Sequence, residues 1–278
     1  MNGDGGAFAF RRILVAVDAS TASLELLESA ATLAAGMGAE LSGIFVEDIN
    51  LLHLAGLPFA REMGWSSATE LHLDYQRMER VLRGRADHAR RAVVSVTTQL
   101  KMHGSLQIAR GQVVTELLRA AQDVDLLILG KGGGATRLGD VARRLAVESP
   151  CAVLLLPKDA RRRLGPVLVV FAGQPRDEGK LLVAARFARL DHHGLLVVIP
   201  SCSSMAEYNR LHDQARQLLG SGSLSVGYQA LGTVDMRSYQ RLVREEGIGL
   251  VVLAGGTEDA ADLESRLAAL DCAVLVIR

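Results

Sequence analysis

Three glycines, Gly130, Gly133 and Gly139, lie within GKGGGATRLGD, between the apolar run DLLILG and the strand-like run CAVLLLP. Such a turn between a buried strand and a helix lets backbone approach a ligand with no Cβ in the way, and a helix start offers unpaired N–H groups to phosphate. The chemistry is anion binding, with a nucleotide as the first ligand to consider. Asp140 follows the third glycine and has two roles open to it. It either caps the helix that begins at Val141, occupying the anion position itself, or sets an acceptor-only carboxylate close to a bound polyphosphate. Lys131, in the same turn, offers a cation that offsets part of that repulsion. Asp18, ending the apolar run ILVAVD, is well placed as a turn former ahead of a helix.

Other chemistry-bearing residues do not assemble into a site. Asp191, His192 and His193 read as a solvated turn rather than a metal centre, and His53, His72, His88, His103 and His212 lack metal-ligand spacing. Cys151, Cys202 and Cys272 are far apart, with no CxxC pair, which argues against a zinc site or a disulfide framework. No nucleophile–base pair emerges.

The elements that must position the glycine turn are alternating strands and helices. Strands are predicted near 12–17, 41–46, 106–109, 125–129 and 152–156, then near 167–171, 195–199, 224–229, 250–254 and 273–277, with helices between them. After the first strand, Leu24, Leu27, Ala31 and Ala34 keep helical spacing, Ser20 can serve as N-cap, and Gly36 and Gly38 end the helix. A long amphipathic helix is predicted over 75–102, its apolar positions including Met78, Val81, Ala89 and Val93 to Val96.

The chain is written twice. DLLILG and CAVLLLP return as GLVVLAGG and CAVLVIR, with Leu126 matching Leu250, Cys151 matching Cys272, and ILVAVDAS matching VLVVFAGQ. Spacing between these matches predicts an inserted segment at about 48–78 in the first copy and a shortened glycine loop in the second. The insertion holds Trp65, Phe59, Leu51, Leu52 and Tyr75, a composition suited to a lid, a partner surface or a self-packed cap. The expected domains are 1–158 and 159–278, joined through the Arg-rich stretch 158–165. With 31 basic and 31 acidic residues the charge is balanced, so nucleic acid is not an expected partner. No apolar stretch approaches the roughly 20 residues needed to span a bilayer, and the N-terminus lacks a signal-peptide core; a soluble cytoplasmic protein is the expectation.

ILVAVDAS, the strand ending FVED, the glycine loop and PCAVLLLP together resemble the universal stress protein family in its tandem two-domain form, over nearly the whole chain. The resemblance implies an α/β fold of two Rossmann-like, adenine nucleotide alpha hydrolase-like domains, each a five-stranded parallel sheet with helices on both faces. It also implies a site. Ala16 and Asp18 would lie beside the ribose or adenine, main chain near Val46 would face the adenine, and Gly130, Lys131, Gly133, Gly139, Asp140 and Val141 would surround the phosphates. The nucleotide-binding branch carries Gly-x2-Gly-x9-Gly-Ser/Thr. Here only five residues separate Gly133 from Gly139, and Asp140 stands at the hydroxyl position.

Three functions follow from these features. One is a non-catalytic stress-response module binding ATP or AMP, with Mg2+ accompanying ATP. The others are a weak ATP hydrolase at the same site and a ligand-free interaction scaffold. In the second copy Ala172 replaces the aspartate and TEDAADLES replaces the loop, which implies a half without nucleotide. By the same resemblance the last strands, 152–157 and 273–278, pair antiparallel into an intramolecular pseudo-dimer, and a freed first domain would form a homodimer.

Overall fold

Runs such as LLILG and AVLLL are apolar at every position, a pattern strands adopt when both faces are covered. In the computed structural model, which describes residues 10–55, 61–63, 70–72, 75–132, 138–157, 165–190, 192–200, 204–220, 222–232, 236–255 and 260–278, these runs are the centre of one sheet. The first half contributes β1 (Arg12–Ala16), α1 (Thr21–Met37), β2 (Glu40–Asp48), α2 (Ile49–Ala55), β3 (Arg61–Met63), β4 (Glu70–His72), α3 (Tyr75–Gln99), β5 (Gly104–Gly111), α4 (Val113–Ala120), β6 (Leu126–Gly130), α5 (Asp140–Glu148) and β7 (Ala152–Leu156). The second contributes β8 (Val167–Val170), α6 (Asp177–Leu190), β9 (Leu195–Pro200), α7 (Met205–Leu219), β10 (Val226–Leu231), α8 (Met236–Glu245), β11 (Leu250–Ala254), α9 (Ala260–Ala269) and β12 (Ala273–Ile277).

The sheet has ten strands in the order β5-β2-β1-β6-β7-β12-β11-β8-β9-β10. Pairing is parallel within each half, and the halves join where β7 and β12 run antiparallel, Val153 opposite Val276, Leu154 opposite Leu275 and Leu155 opposite Val274. Each half thus supplies five parallel strands with the same winding. The buried faces of α1, α3, α6 and α7 cover one side, and those of α4, α5, α8 and α9 the other. Helices also meet across the seam, α5 against α9 on one side and α1 against α6 on the other.

Local signals explain the ends of α1. Ser20 in extended conformation accepts from the Ser23 amide, and Gly38 closes the helix with φ 64°, the left-handed geometry that glycine tolerates without strain. The buried stripe is Leu26, Leu27, Ala30, Ala31 and Ala34, with Leu24 only half-buried, so the face is turned slightly from the expected one. Gly36 lies inside the helix and Gly38 alone caps it. In α3 the buried positions are Leu82, Ala86, Ala89, Val93 and Thr97, one stripe at helical spacing, while Val81 and Val94 face solvent.

The insertion contains α2, whose Leu52 and Ala55 are buried where it packs on α3 and β5, followed by the β3–β4 hairpin. Phe59 and Trp65 lie outside the described side chains, as does the stretch 158–164. Among the described residues, no helix is long and apolar enough to cross a membrane.

Candidate functional site

Where β1 leads outward to β2 on one side and β6 lies on the other, the winding reverses, and a crevice must open at the carboxyl ends of the strands. A cleft of about 710 Å³ occupies this point. Its walls come from the ends of β1 and β6, from β2, from the start of α1, and from the first turn of α5. Ala16, Asp18, Val46, Gly130, Lys131, Gly139, Asp140 and Val141, eight of the nine expected site residues, line it together. The ninth, Gly133, lies outside the described residues.

The glycine turn is closed by backbone. Gly139 donates its N–H to the Lys131 carbonyl at 2.7 Å, and Lys131 donates its own to Leu156 at 2.9 Å. Gly132 takes φ 65°, and a Cβ on Gly139 would sit 3.4 Å from both the Gly132 Cα and the Lys131 oxygen. The ends of the turn therefore approach each other at a separation that only glycine makes comfortable.

Two expectations about side chains change, those for Asp140 and Lys131, and the one for Asp18 stands. Asp140 is not the cap of α5: Gly139 holds that position with no side-chain cap bond, and Asp140 is the first helical residue. Its carboxylate, almost fully exposed, instead accepts from Arg143 Nη2 at 3.0 Å. Lys131 borders the cleft, but its ammonium donates across the seam to the carbonyl of Leu270. Burial there holds it below its ordinary pKa, with Cys272 and Asp271 pulling the other way, so the cation serves the seam rather than the phosphate end. Asp18 takes the turn-forming role, its Oδ1 accepting from the Ser20 amide at 2.9 Å, while still lining the cleft.

Residues that sequence reading missed also appear. Ser23 accepts from the Asp18 amide at 2.9 Å and so ties α1 to the end of β1. Arg143 bridges Asp140 to Glu264 of α9, Nη1 reaching both carboxylate oxygens at 2.9 and 3.0 Å. The Asp140–Arg143 spacing, three residues along one helix, was a readable signal for the first of these contacts. Nothing local pointed to Glu264.

The corresponding corner of the second half has been rebuilt rather than lost. Ala19 and Gly173, matching positions, both take positive φ, 62° and 75°. Ala172 has no carboxylate to hold this turn. Asp177, matching Ser23, replaces it: its Oδ2 accepts from the amides of Ala172 and Gln174 at 2.7 and 3.1 Å, and its Oδ1 pairs with Lys180 at 2.6 Å. Asp177 is buried, with 4% of its surface exposed. Asp177→Ala would leave two amides and a nearly buried ammonium unpaired, and is expected to destabilise the protein by about 3 kcal/mol in urea unfolding. An effect below about 1 kcal/mol would show that solvent replaces the carboxylate.

Two thiols flank the seam, each facing a cation of the other half: Cys272 near Lys131, and Cys151 near Arg278, whose guanidinium donates to Ala146 at 2.6 Å. Burial pushes the Cys272 thiol up from 9.0 to about 11. A raised folded-state value means that this thiol's contribution is complete below pH 9.0 and is lost as pH rises toward about 11. Wild type should therefore lose on the order of 2 kcal/mol more than Cys272→Ala across that window. Parallel urea midpoints would contradict this. Among the described residues, no three metal-ligating side chains gather into a group.

A doubly wound parallel sheet with a glycine-lined cleft at its switch point defines a Rossmann-like α/β protein. The model of the Universal stress protein family matches residues 9–157, more than half of the chain, and the chain belongs to that family. A universal stress protein from Archaeoglobus fulgidus DSM 4304 is similar in structure over 98% of both chains, with TM-score 0.74 and 15% identity. A putative universal stress protein from Pseudomonas aeruginosa UCBPP-PA14 is similar over 97% of this chain and 93% of its own, with TM-score 0.62 and 18% identity. Both similarities span the two halves and show the shared fold. A comparison with curated proteins found no match.

Proposed function

We propose that the chain is a non-catalytic, cytoplasmic stress-response module whose first half, residues 1–158, binds an adenine nucleotide, ATP or AMP. The second half, 159–278, is a degenerate copy that completes the sheet as an intramolecular pseudo-dimer. The observation that carries this reading is the cleft. Its lining includes Ala16, Asp18 and Val46 together with Gly130, Gly139, Asp140 and Val141. Its 710 Å³ suits a nucleotide-sized ligand. The exposed start of α5 contributes N–H groups and the positive end of a helix dipole, and Gly130, Gly132 and Gly139 add backbone with no Cβ obstruction.

Adenine would pack against the carboxyl ends of β1 and β2, where apolar Val17, Ile44 and Val46 line the cleft, with the ribose beside Asp18. Phosphate would lie against the α5 N-terminus, and Mg2+ would accompany ATP there. The direct test is mass spectrometry of small molecules released from freshly purified, denatured protein. An adenine nucleotide in near-stoichiometric amount is the expected result. A protein that releases none, and that millimolar adenosine, AMP and ATP all fail to stabilise, would overturn the reading. Steady release of ADP from Mg–ATP would instead make the protein a hydrolase.

A further inference from the structure

The following rests on the nucleotide reading above and addresses which ligand the cleft selects. Of the described side chains lining it, three are acidic, Asp18, Glu25 and Asp140, and the one cation, Lys131, is turned to Leu270. The nearest other cation by contact is Arg143, one turn along α5 from Asp140. Its guanidinium is divided between Asp140, on one nitrogen, and both oxygens of Glu264, on the other. Among the described residues, two carboxylates thus share this cation, and Arg144, the next arginine, is itself held by Glu148, which leaves a net negative charge beside the helix start where a phosphate would dock. The second carboxylate comes from the other half of the chain.

We propose that Glu264 is a specificity-determining positioning residue: by holding Arg143 across the seam, it leaves Asp140 only partly neutralised and biases the cleft toward adenine ligands of low charge, adenosine or a monophosphate, over ATP. The physical basis is a like-charge contact that grows with ligand charge. Adenosine places none near Asp140, AMP places a little, and ATP places most. If Glu264 is neutralised, Arg143 and Asp140 become a balanced pair, and the guanidinium is free to turn toward phosphate. The degenerate half then has a role in the site it does not contain: it sets the charge at the mouth.

Titration calorimetry with adenosine, AMP and ATP, without divalent cations and at low ionic strength, tests this on wild type, Glu264→Gln, Glu264→Asp and Arg143→Gln. Glu264→Gln is expected to raise ATP affinity on the order of threefold to tenfold, AMP affinity less, and adenosine affinity not at all. Glu264→Asp, which keeps the charge on a side chain one methylene shorter, should fall between wild type and Glu264→Gln, and Arg143→Gln should weaken ATP further. High salt should collapse all these differences. A merely structural role for Glu264 would shift the three ligands equally, and that result, or an unchanged ATP affinity, overturns the inference while leaving the adenine cleft standing. Failure of wild type to bind any of the three overturns both.

Discussion

An isolated first half, residues 1–158, should sediment as a dimer at micromolar concentration. In the whole chain β7 lies mid-sheet, flanked by β6 and β12, with Val153, Leu154 and Leu155 at most 3% exposed. Removing the second half strips one side of this strand of its hydrogen-bonding partner and uncovers apolar surface on both of its faces. An open, apolar edge is the feature that recruits another strand. The replacement is close at hand. AVLLL of β7 and AVLVI of β12 are near-copies, and their antiparallel pairing is the geometry in which a strand also meets its own copy across a two-fold axis. The seam helices follow: α5, which now meets α9, would meet a second α5. A stable monomer in sedimentation would show that the halves are held together chiefly by cross-seam side chains, such as Phe10 against Phe187, rather than by the strand pair.

The second large effect is ligand-dependent stabilisation and its loss on a single substitution. If the cleft holds an adenine nucleotide, a hundredfold excess over Kd should stabilise the folded state by about 2.7 kcal/mol, visible as a rise in Tm that grows with ligand concentration. Gly139→Val should abolish that rise. Gly139 has φ −68° and ψ 151°, an extended geometry open to any residue, so the substitution introduces no forbidden backbone. Its first carbon would already lie 3.4 Å from the Gly132 Cα and the Lys131 oxygen, and the γ-methyls would enter the space at the start of α5. The readout is therefore the ligand-induced shift, compared with each variant's own unliganded Tm. A full shift in Gly139→Val would place the ligand away from the glycine turn.

Much of the architecture was legible in residue order because it rests on short-range physics. Fully apolar runs declared buried parallel strands, and β5 and β10 differ from expectation only at their ends. Ser20 and Gly38 marked the limits of α1 through their own backbone preferences. The repeat, visible in DLLILG and GLVVLAGG, anticipated two halves of the same winding, and the family resemblance anticipated the β7–β12 seam. The strand-end and loop residues of the cleft were named through the family resemblance, and the switch point in the parallel sheet is what brings the ends of β1 and β6 together.

What side chains do at those positions was legible only where the partner is local, as for Asp18 with Ser20 and Asp140 with Arg143. Asp140 could be read as a cap or as a phosphate-facing charge, yet its partner is Arg143, and Arg143 is held by Glu264, 121 residues further on. Lys131 looked like a phosphate ligand, yet its ammonium is taken by Leu270, 139 residues away. Ala172 looked like decay, yet Asp177 has taken over the bonds that hold its turn. Periodicity, caps and glycine conformations act within one or two turns of the chain and leave a pattern in its order. A long flexible charged side chain chooses among partners that folding brings within about 3 Å, and that choice leaves no trace until the two halves have closed against each other.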